Sequence, residues 1–370
     1  MYPIPELHRV WKRWLAGYRR IYNWAIEKLK EGWIGDLQKE CRSDPTIPEW
    51  VQSIPGHQKQ EACDEAFDSF RQARANGGEA KFKSCKASSQ TIQFKAGNYL
   101  HGTWYPKSTK DLTFKSSQPM PQECSYGTEL VYQRGKWYAC IPGHVAPVTT
   151  GSDRVIALDP GNRAFLTGYD GENVLEIGKG DIGRINRLCS HLDNLISRMT
   201  KSPVKRQRYK MRKAADRIRG RIQALVKDLH NKVASILVNS YKLIFLPTFE
   251  TSQMVLKSSR KINKKSVRNM LTWNHAKFAQ TLEQMAQKKG VLVIRCNESY
   301  TSKTCTNCGH IHHKLGGSKI FTCPDCGSRI LRDINGARNI MLRALMATSF
   351  TVIGNAILFR DAQLCAMTEG

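Results

Sequence analysis

The sequence predicts an α/β protein in which a domain of interspersed strands and helices follows a smaller unit of helices and strands. Three observations carry this expectation. After Ser152, short apolar runs alternate with long amphipathic stretches. Before it, two helical stretches precede a series of short β-like runs. Near the C-terminus, two Cys-x-x-Cys pairs mark a small module of their own. With 370 residues, the chain has room for two or three domains and a sizeable core.

The elements follow in order. Residues 7–31 read as a helix, because Val10, Trp11, Trp14, Tyr18, Ile21, Tyr22, Ala25 and Leu29 recur at helical spacing. The aromatic stripe reads as core. The interleaved Arg9, Lys12, Arg13, Arg19 and Arg20 read as a solvated face or a phosphate contact. A Pro-bounded stretch leads to a second helix over 58–75, ended by Asn76-Gly77-Gly78. Short β runs follow at 91–95, 111–115, 130–132 and 136–141, the last two joined by an Arg134-Gly135 turn. Lys81, Lys83, Lys86 and Lys95 decorate this junction.

From 154 to 158 a buried strand is expected, ending in Asp159-Pro160-Gly161-Asn162. A strand pair at 164–169 and 173–177 turns at Asp170-Gly171. A helical hairpin then spans about 182–240, with Lys201, Lys205, Arg206, Arg208, Lys210, Arg212 and Lys213 in its connection. That run is either a solvated turn or a nucleic-acid contact or import patch. Residues 241–245 form another strand, leading to Glu250. A basic loop carries Lys257, Arg260, Lys261, Lys264, Lys265 and Arg268. A helix over 269–289, a strand over 291–295 and a closing helix over 333–347 complete the series; residues 348–370 have no assignment.

Charge narrows the function. Fifty-eight Lys and Arg against thirty-one Asp and Glu leave a formal +27. A chain so basic repels itself unless a polyanion neutralises it, which disfavours a small-molecule enzyme and makes nucleic acid the expected partner. No run approaches the 18 apolar residues of a spanning helix, so no membrane role is expected, and the first residues do not read as a signal peptide. Of twelve cysteines, four fall in the two pairs, which suits one metal site in a reducing compartment better than a disulfide framework.

Cys305, Cys308, Cys323 and Cys326 supply two pairs separated by fourteen residues. Four thiolates at that spacing fit the closed tetrahedral shell of one structural Zn²⁺, with Gly309 and Gly327 placed for tight turns. His310, His312 and His313 lie close by but are superfluous to four sulfurs. Asp159 and Glu250 each follow an apolar strand, and Asp333 opens a helix, where it could equally be an N-cap. Three such acids in a basic chain suggest a carboxylate cluster neutralised by cations. Two bridged Mg²⁺ ions would activate water in phosphodiester hydrolysis.

Four strings carry a resemblance: Asp159-Pro160-Gly161; Phe249 to Val255; Tyr300-Thr301-Ser302-Lys303-Thr304-Cys305; and Arg332 to Ile340. They are similar to the split RuvC-like nuclease segments of TnpB proteins and their Fanzor relatives. The middle strings and Gly316-Gly317-Ser318-Lys319 favour the Fanzor branch. The resemblance is specific over about 153–346 and loose over 1–150. It implies an RNase H-like RuvC domain (151–300 and 331–370) with an inserted zinc ribbon (301–330). A small β-barrel wedge domain (1–8 and 80–150) would precede it, carrying a helical recognition insertion (9–79). The first wedge strand is expected to be short or absent. Asp159, Glu250 and Asp333 match the catalytic acids, the four cysteines match the zinc ligands, and the 257–268 loop matches a lid. The implied activity is cutting of double-stranded DNA beside a short adjacent motif. The implied partners are an omega (guide) RNA and target duplex, in a monomeric ribonucleoprotein. The location would be nuclear for a eukaryotic Fanzor, otherwise cytoplasm or nucleoid.

Three other readings differ in class. An RNA-guided protein that occludes DNA without cutting would have lost an acid, and none is lost. A zinc-ribbon DNA-binding protein without RNA leaves the acids unexplained. A strand-joining transposase would need another catalytic core.

Overall fold

The computed structural model describes residues 1–109, 111–144, 146, 151–249, 251–258, 262–297, 299–347, 350–353 and 356–359. The chain divides into two compact units, Met1–His144 and Val145–Gly370.

The first unit runs β1 (Tyr2–Pro3), α1 (Pro5–Lys30), α2 (Leu37–Glu40), α3 (Glu49–Gln52), α4 (Gly56–Ala75), β2 (Ser89–Phe94), β3 (Tyr99–Leu100), β4 (Thr103–Trp104), α5 (Pro106–Thr109), β5 (Phe114–Lys115), β6 (Thr128–Gln133) and β7 (Lys136–Cys140). Helix α1 opens on Pro5, whose fixed φ suits the first helical position. Its stripe is core: Trp11, Trp14, Tyr18, Ile21, Tyr22, Ala25 and Leu29 are all buried. The indole of Trp11 meets those of Trp104 and Trp137 edge-on, with ring centroids 5.8 and 5.3 Å apart. Strands β2, β6 and β7 form an antiparallel sheet, and two-stranded ladders join β1 to β5 and β3 to β4. The β6–β7 hairpin turns at Arg134 and Gly135, both with positive φ, as a two-residue turn of this hand requires. The expected 111–115 strand shrinks to β5, which pairs with the two residues of β1. One apolar core runs through α1, α4 and the three-stranded sheet.

The second unit runs β8 (Val155–Pro160), β9 (Leu166–Tyr169), β10 (Val174–Ile177), α6 (Asp181–Lys201), α7 (Lys205–Ser240), β11 (Leu243–Pro247), α8 (Thr251–Met254), α9 (Lys264–Trp273), α10 (His275–Lys289), β12 (Leu292–Cys296), β13 (Ile320–Thr322), β14 (Arg329–Leu331), α11 (Arg332–Ala347), β15 (Phe350–Ile353) and β16 (Ala356–Phe359). The sheet order is β10-β9-β8-β11-β12, with β8, β11 and β12 parallel and the other two antiparallel. Strands β8 and β11 are buried on both faces, which explains their apolar runs, whereas β12 at the sheet edge is only partly covered. Ile156, Leu158, Ile244 and Leu246 face α7 and α10; Ala157, Leu243, Phe245 and Ile294 face α11.

Three expectations are corrected. Lys264, Lys265 and Arg268, expected in a basic loop, lie on helix α9. The basic connection of the helical hairpin is only residues 202–204, so Lys205 to Lys213 ride on the first turns of α7, not in a loop. The single helix expected over 269–289 is two, broken at Asn274, which takes a left-handed conformation (φ 49°). The unassigned tail contributes the β15–β16 hairpin. Among the described residues no helix is long and apolar enough to cross a membrane.

Replacing Trp11 by Ala removes an indole from the centre of the first unit's core. We expect a loss of about 3–5 kcal/mol in a urea titration of the purified protein.

Candidate active site and cysteine cluster

The parallel strands end together. β8 and β11 run in register from Val155 beside Leu243 to Ala157 beside Phe245, and Pro247 at the end of β11 sits beside Cys296 of β12. Asp159 is the penultimate residue of β8 and half-buried, opposite Thr167 of β9. Strand β11 leads through Thr248 and Phe249 toward Glu250, which lies outside the described residues, as do Arg260 and Lys261.

Helix α11 brings the second acid. It follows β14 without a break, so Asp333 lies inside its first turn and is not an N-cap. The helix packs against the sheet through Ile340, Met341 and Ala344. Gly336 faces Asp159 so closely that a Cβ there would fall 2.5 Å from the carboxylate Oδ2. Residues three apart on a helix stand about 5–6 Å from each other, so exposed Asp333 emerges one turn from the Asp159 carboxylate. Nothing in the sequence singles out Gly336; its requirement is a tertiary approach that no local pattern announces.

The turn after Asp159 is held from outside. Gly161 leaves no room for a side chain, since a Cβ would lie 2.6 Å from the Ala164 carbonyl oxygen. Its own carbonyl accepts from His275 Nε2 at 3.2 Å. The Asn162 carbonyl accepts from the Trp273 indole at 3.2 Å and the Asn269 amide at 3.5 Å. All three donors flank the break at Asn274, which therefore serves the turn. His275 stacks on one side of this network against Phe165, with ring centroids 5.0 Å apart and planes 5° apart. A cavity of about 20 Å³ beneath, lined by Pro160, Pro247, Phe249 and His275, has room for a single water.

The four cysteine sulfurs gather within 4.8 Å of one another. Cys305 Sγ lies 3.7 Å from that of Cys326, and Cys308 Sγ 3.6 Å from that of Cys323. A tetrahedral ion with bonds of about 2.3 Å sets its ligands about 3.8 Å apart, so these sulfurs fit a thiolate-preferring metal. Each pair closes a tight turn: Gly309 donates to the Cys305 carbonyl and Gly327 to that of Cys323, both glycines at positive φ. The Ser328 N–H and the Asn307 amide lower the Cys326 thiol pKa to about 6, while desolvation and the neighbouring sulfurs push that of Cys308 up. His310 contributes its carbonyl, which accepts from the Cys305 N–H.

The basic residues split into two groups. Arg9, Arg13, Arg20, Lys81, Lys86, Lys205, Arg206, Lys210, Arg212, Lys257, Lys264 and Lys265 are exposed. Lys12, Arg19, Lys83 and Arg208 are half-buried against partners within the fold, and exposed Arg9, Arg13 and Arg20 also reach Glu6, Ser53 and the Thr46 carbonyl. Lys83 meets Glu65 at 2.5 Å and the Tyr22 ring at 4.3 Å. Arg19 donates to Gln90, Lys12 lies over Tyr132, and Arg208 donates to the carbonyls of Ser202 and Pro203. For these the charge is part of the fold as well as of the surface.

Burial lowers the His275 pKa to about 4 and moves that of His230 the same way. Unfolded, His275 takes up its proton below about 6.5; folded, it resists protonation until about 4. Its contribution to stability is therefore complete above pH 6.5 and lost as pH falls toward 4. The acid-side decline of the urea midpoint should flatten in His275→Gln.

Comparison with known proteins agrees with this architecture. A family model for the TNB domain of Cas12f1-like proteins matches residues 275–340, from α10 through the cysteine cluster into α11. A TnpB-like protein of Acanthamoeba polyphaga mimivirus is 25% identical over 386 residues, covering 92% of this chain and 71% of that protein. A second mimivirus protein, named as a candidate transposase, is 33% identical over 193 residues, 51% of this chain; this chain spans only 39% of that protein's length. A Streptomyces pristinaespiralis protein, named as a candidate RNA-guided DNA endonuclease, is 24% identical over 379 residues, 94% of this chain and 89% of that one. The solved Cas12f1–sgRNA–target DNA complex shares the fold, with a TM-score of 0.54 at 13% identity over 91% of this chain and 83% of that one. In sequence over most of its length, and in its α/β fold, the chain is similar to TnpB-like proteins and to Cas12f1.

Proposed function

We propose that the chain is an RNA-guided DNA endonuclease that hydrolyses phosphodiester bonds with Asp159, Glu250 and Asp333. The observation that carries this is the approach of α11 to the end of β8, which stands two carboxylates one helical turn apart in a chain of net charge +27. The names of the relatives and of the Cas12f1 complex support the same reading. Carboxylate oxygens are hard donors suited to Mg²⁺, and four thiolates suit Zn²⁺. In this reading Asp159, Glu250 and Asp333 hold two Mg²⁺, and the cysteines hold one structural Zn²⁺. Bound Mg²⁺ would lower the pKa of an attacking water and neutralise charge on the scissile phosphate. The residues of the chain supply position: β8 and α11 present the aspartates, and the 161–162 turn fixes Asp159 against α11.

The partners follow from the charge. We assign the exposed lysines and arginines of α1, the 81–86 segment, the start of α7 and the 257–265 stretch to an omega RNA and target duplex, in a monomeric ribonucleoprotein. The domain assignment keeps the sequence boundaries: wedge 1–8 and 80–150, recognition 9–79, RuvC 151–300 and 331–370, zinc ribbon 301–330. The Fanzor branch, and a nuclear location with it, rests on the strings around 249–255 and 300–305. A short adjacent motif would be read on the duplex.

The test is cleavage of a guide-matched plasmid by the ribonucleoprotein purified with RNA from its own locus. Double-strand cuts should require Mg²⁺ and stop with EDTA. Asp159→Ala or Asp333→Ala should lower cutting by more than about 1,000-fold while leaving RNA affinity unchanged. Bound RNA and target without cutting would favour the occluding reading instead. Gly336→Ala should lose cutting without losing thermal stability, because alanine favours the helix by about 1 kcal/mol while its methyl displaces the Asp159 carboxylate.

A further inference from the structure

We infer that Asn335 and Asn339 couple the cysteine cluster to Asp333 and act as positioning residues for cleavage; the inference rests on the nuclease reading above. Both amides lie on the first turns of α11 and are almost wholly buried, at 0% and 7% exposure. An amide in such a place is unfavourable unless every polar atom is matched. Here both side chains turn onto the segment that carries Cys305. The Asn339 amide donates to the carbonyls of Thr301 at 2.7 Å and Thr304 at 2.6 Å. The Asn335 amide donates to the same Thr304 carbonyl at 2.7 Å. The Asn335 oxygen accepts from the Thr306 N–H at 3.3 Å and the Thr306 hydroxyl at 3.2 Å. Thr304 and Thr306 are the chain neighbours of Cys305.

The second cysteine pair reaches the same helix by another route. Cys323 and Cys326 lie between β13 and β14, and β14 runs straight into α11. Arg332, the first residue of the helix, ties back with its N–H to the Lys319 carbonyl and with its guanidinium to the Gly316 carbonyl, both at 2.8 Å. The sulfurs interleave between the arms, Cys305 beside Cys326 and Cys308 beside Cys323. An ion held there would join the arm bonded to Asn335 and Asn339 to the arm continuous with α11. The result is a closed loop around the helical turn that bears Asp333. Gly336, next to Asn335, is the point where that turn meets Asp159. The cluster therefore sets the distance between the two catalytic aspartates, and the two asparagines carry the constraint. Such couplings amount to about 5–150-fold in affinity, and they are reciprocal.

The experiment uses the full chain and Mn²⁺ as a probe of the aspartate site, read by electron paramagnetic resonance. Asp159→Ala and Asp333→Ala assign the signal by abolishing it. In the wild type, removing zinc with a chelator should weaken Mn²⁺ binding about tenfold. Asn335→Leu and Asn339→Leu should retain one zinc per chain and normal RNA affinity, yet bind Mn²⁺ about tenfold more weakly. Zinc removal should add little to that loss. Their cleavage should recover toward wild type at high Mg²⁺. If either leucine variant fails to fold, Asn335→Asp keeps the oxygen facing Thr306 and tests the lost Thr304 contact. Wild-type Mn²⁺ affinity in the zinc-free protein or in folded asparagine variants would overturn the coupling while leaving the nuclease reading intact. Coupled Mn²⁺ and zinc binding without any cleavage would keep the coupling and overturn that reading. No Mn²⁺ binding at the aspartates would overturn both.

Discussion

Helix α11 packs so closely on the end of β8 that a side chain at position 336 would displace the Asp159 carboxylate, and the candidate chemistry depends on that approach. Where the Gly336 Cβ would be, the Asp159 carboxylate already stands. A glycine in the middle of a helix sacrifices about 1 kcal/mol of helix preference. The surrounding structure offsets this with Ile340, Met341 and Ala344 packed on the sheet below and two buried asparagines bonded to the cysteine module beside them. Each group that restrains α11 therefore bears on the same close contact.

The site is built from restraint more than from reactive groups. Asp159 sits on a strand buried on both faces, and the turn after it has its carbonyls taken up by three side chains of α9 and α10. Asp333 sits on a helix whose start is continuous with a hairpin. Rigid elements thus present both aspartates, one on the end of β8 and one on the first turn of α11.

Much of this architecture is legible in the amino-acid sequence. The stripe of α1, the Arg134-Gly135 hairpin and the parallel strands announce themselves by period, turn chemistry and apolar runs. The cysteine cluster is legible because ligand spacing maps almost directly onto ligand geometry. Asp159 and Asp333 can be named from their places at a strand end and a helix start, but their meeting cannot, since it depends on how far-separated elements pack. The break at Asn274 escapes a sequence reading because a single left-handed asparagine leaves the apolar period on both sides intact. Asn269, Trp273, His275, Asn335 and Asn339 escape it for a common reason: they bind main-chain carbonyls, which have no sequence signature. The only hint is a pair of amides four apart on an otherwise apolar helix face.

The tryptophans divide unevenly between the two units. Seven of the eight, Trp11 to Trp137, lie in the first unit, and Trp273 alone belongs to the second, with its indole N–H on the carbonyl of Asn162. The emission of the whole protein is thus dominated by the first unit. A chain keeping only Trp273 would carry one natural fluorophore, hydrogen-bonded to the turn that follows Asp159. The protein holds its own optical reporter for the turn on which its candidate carboxylate depends.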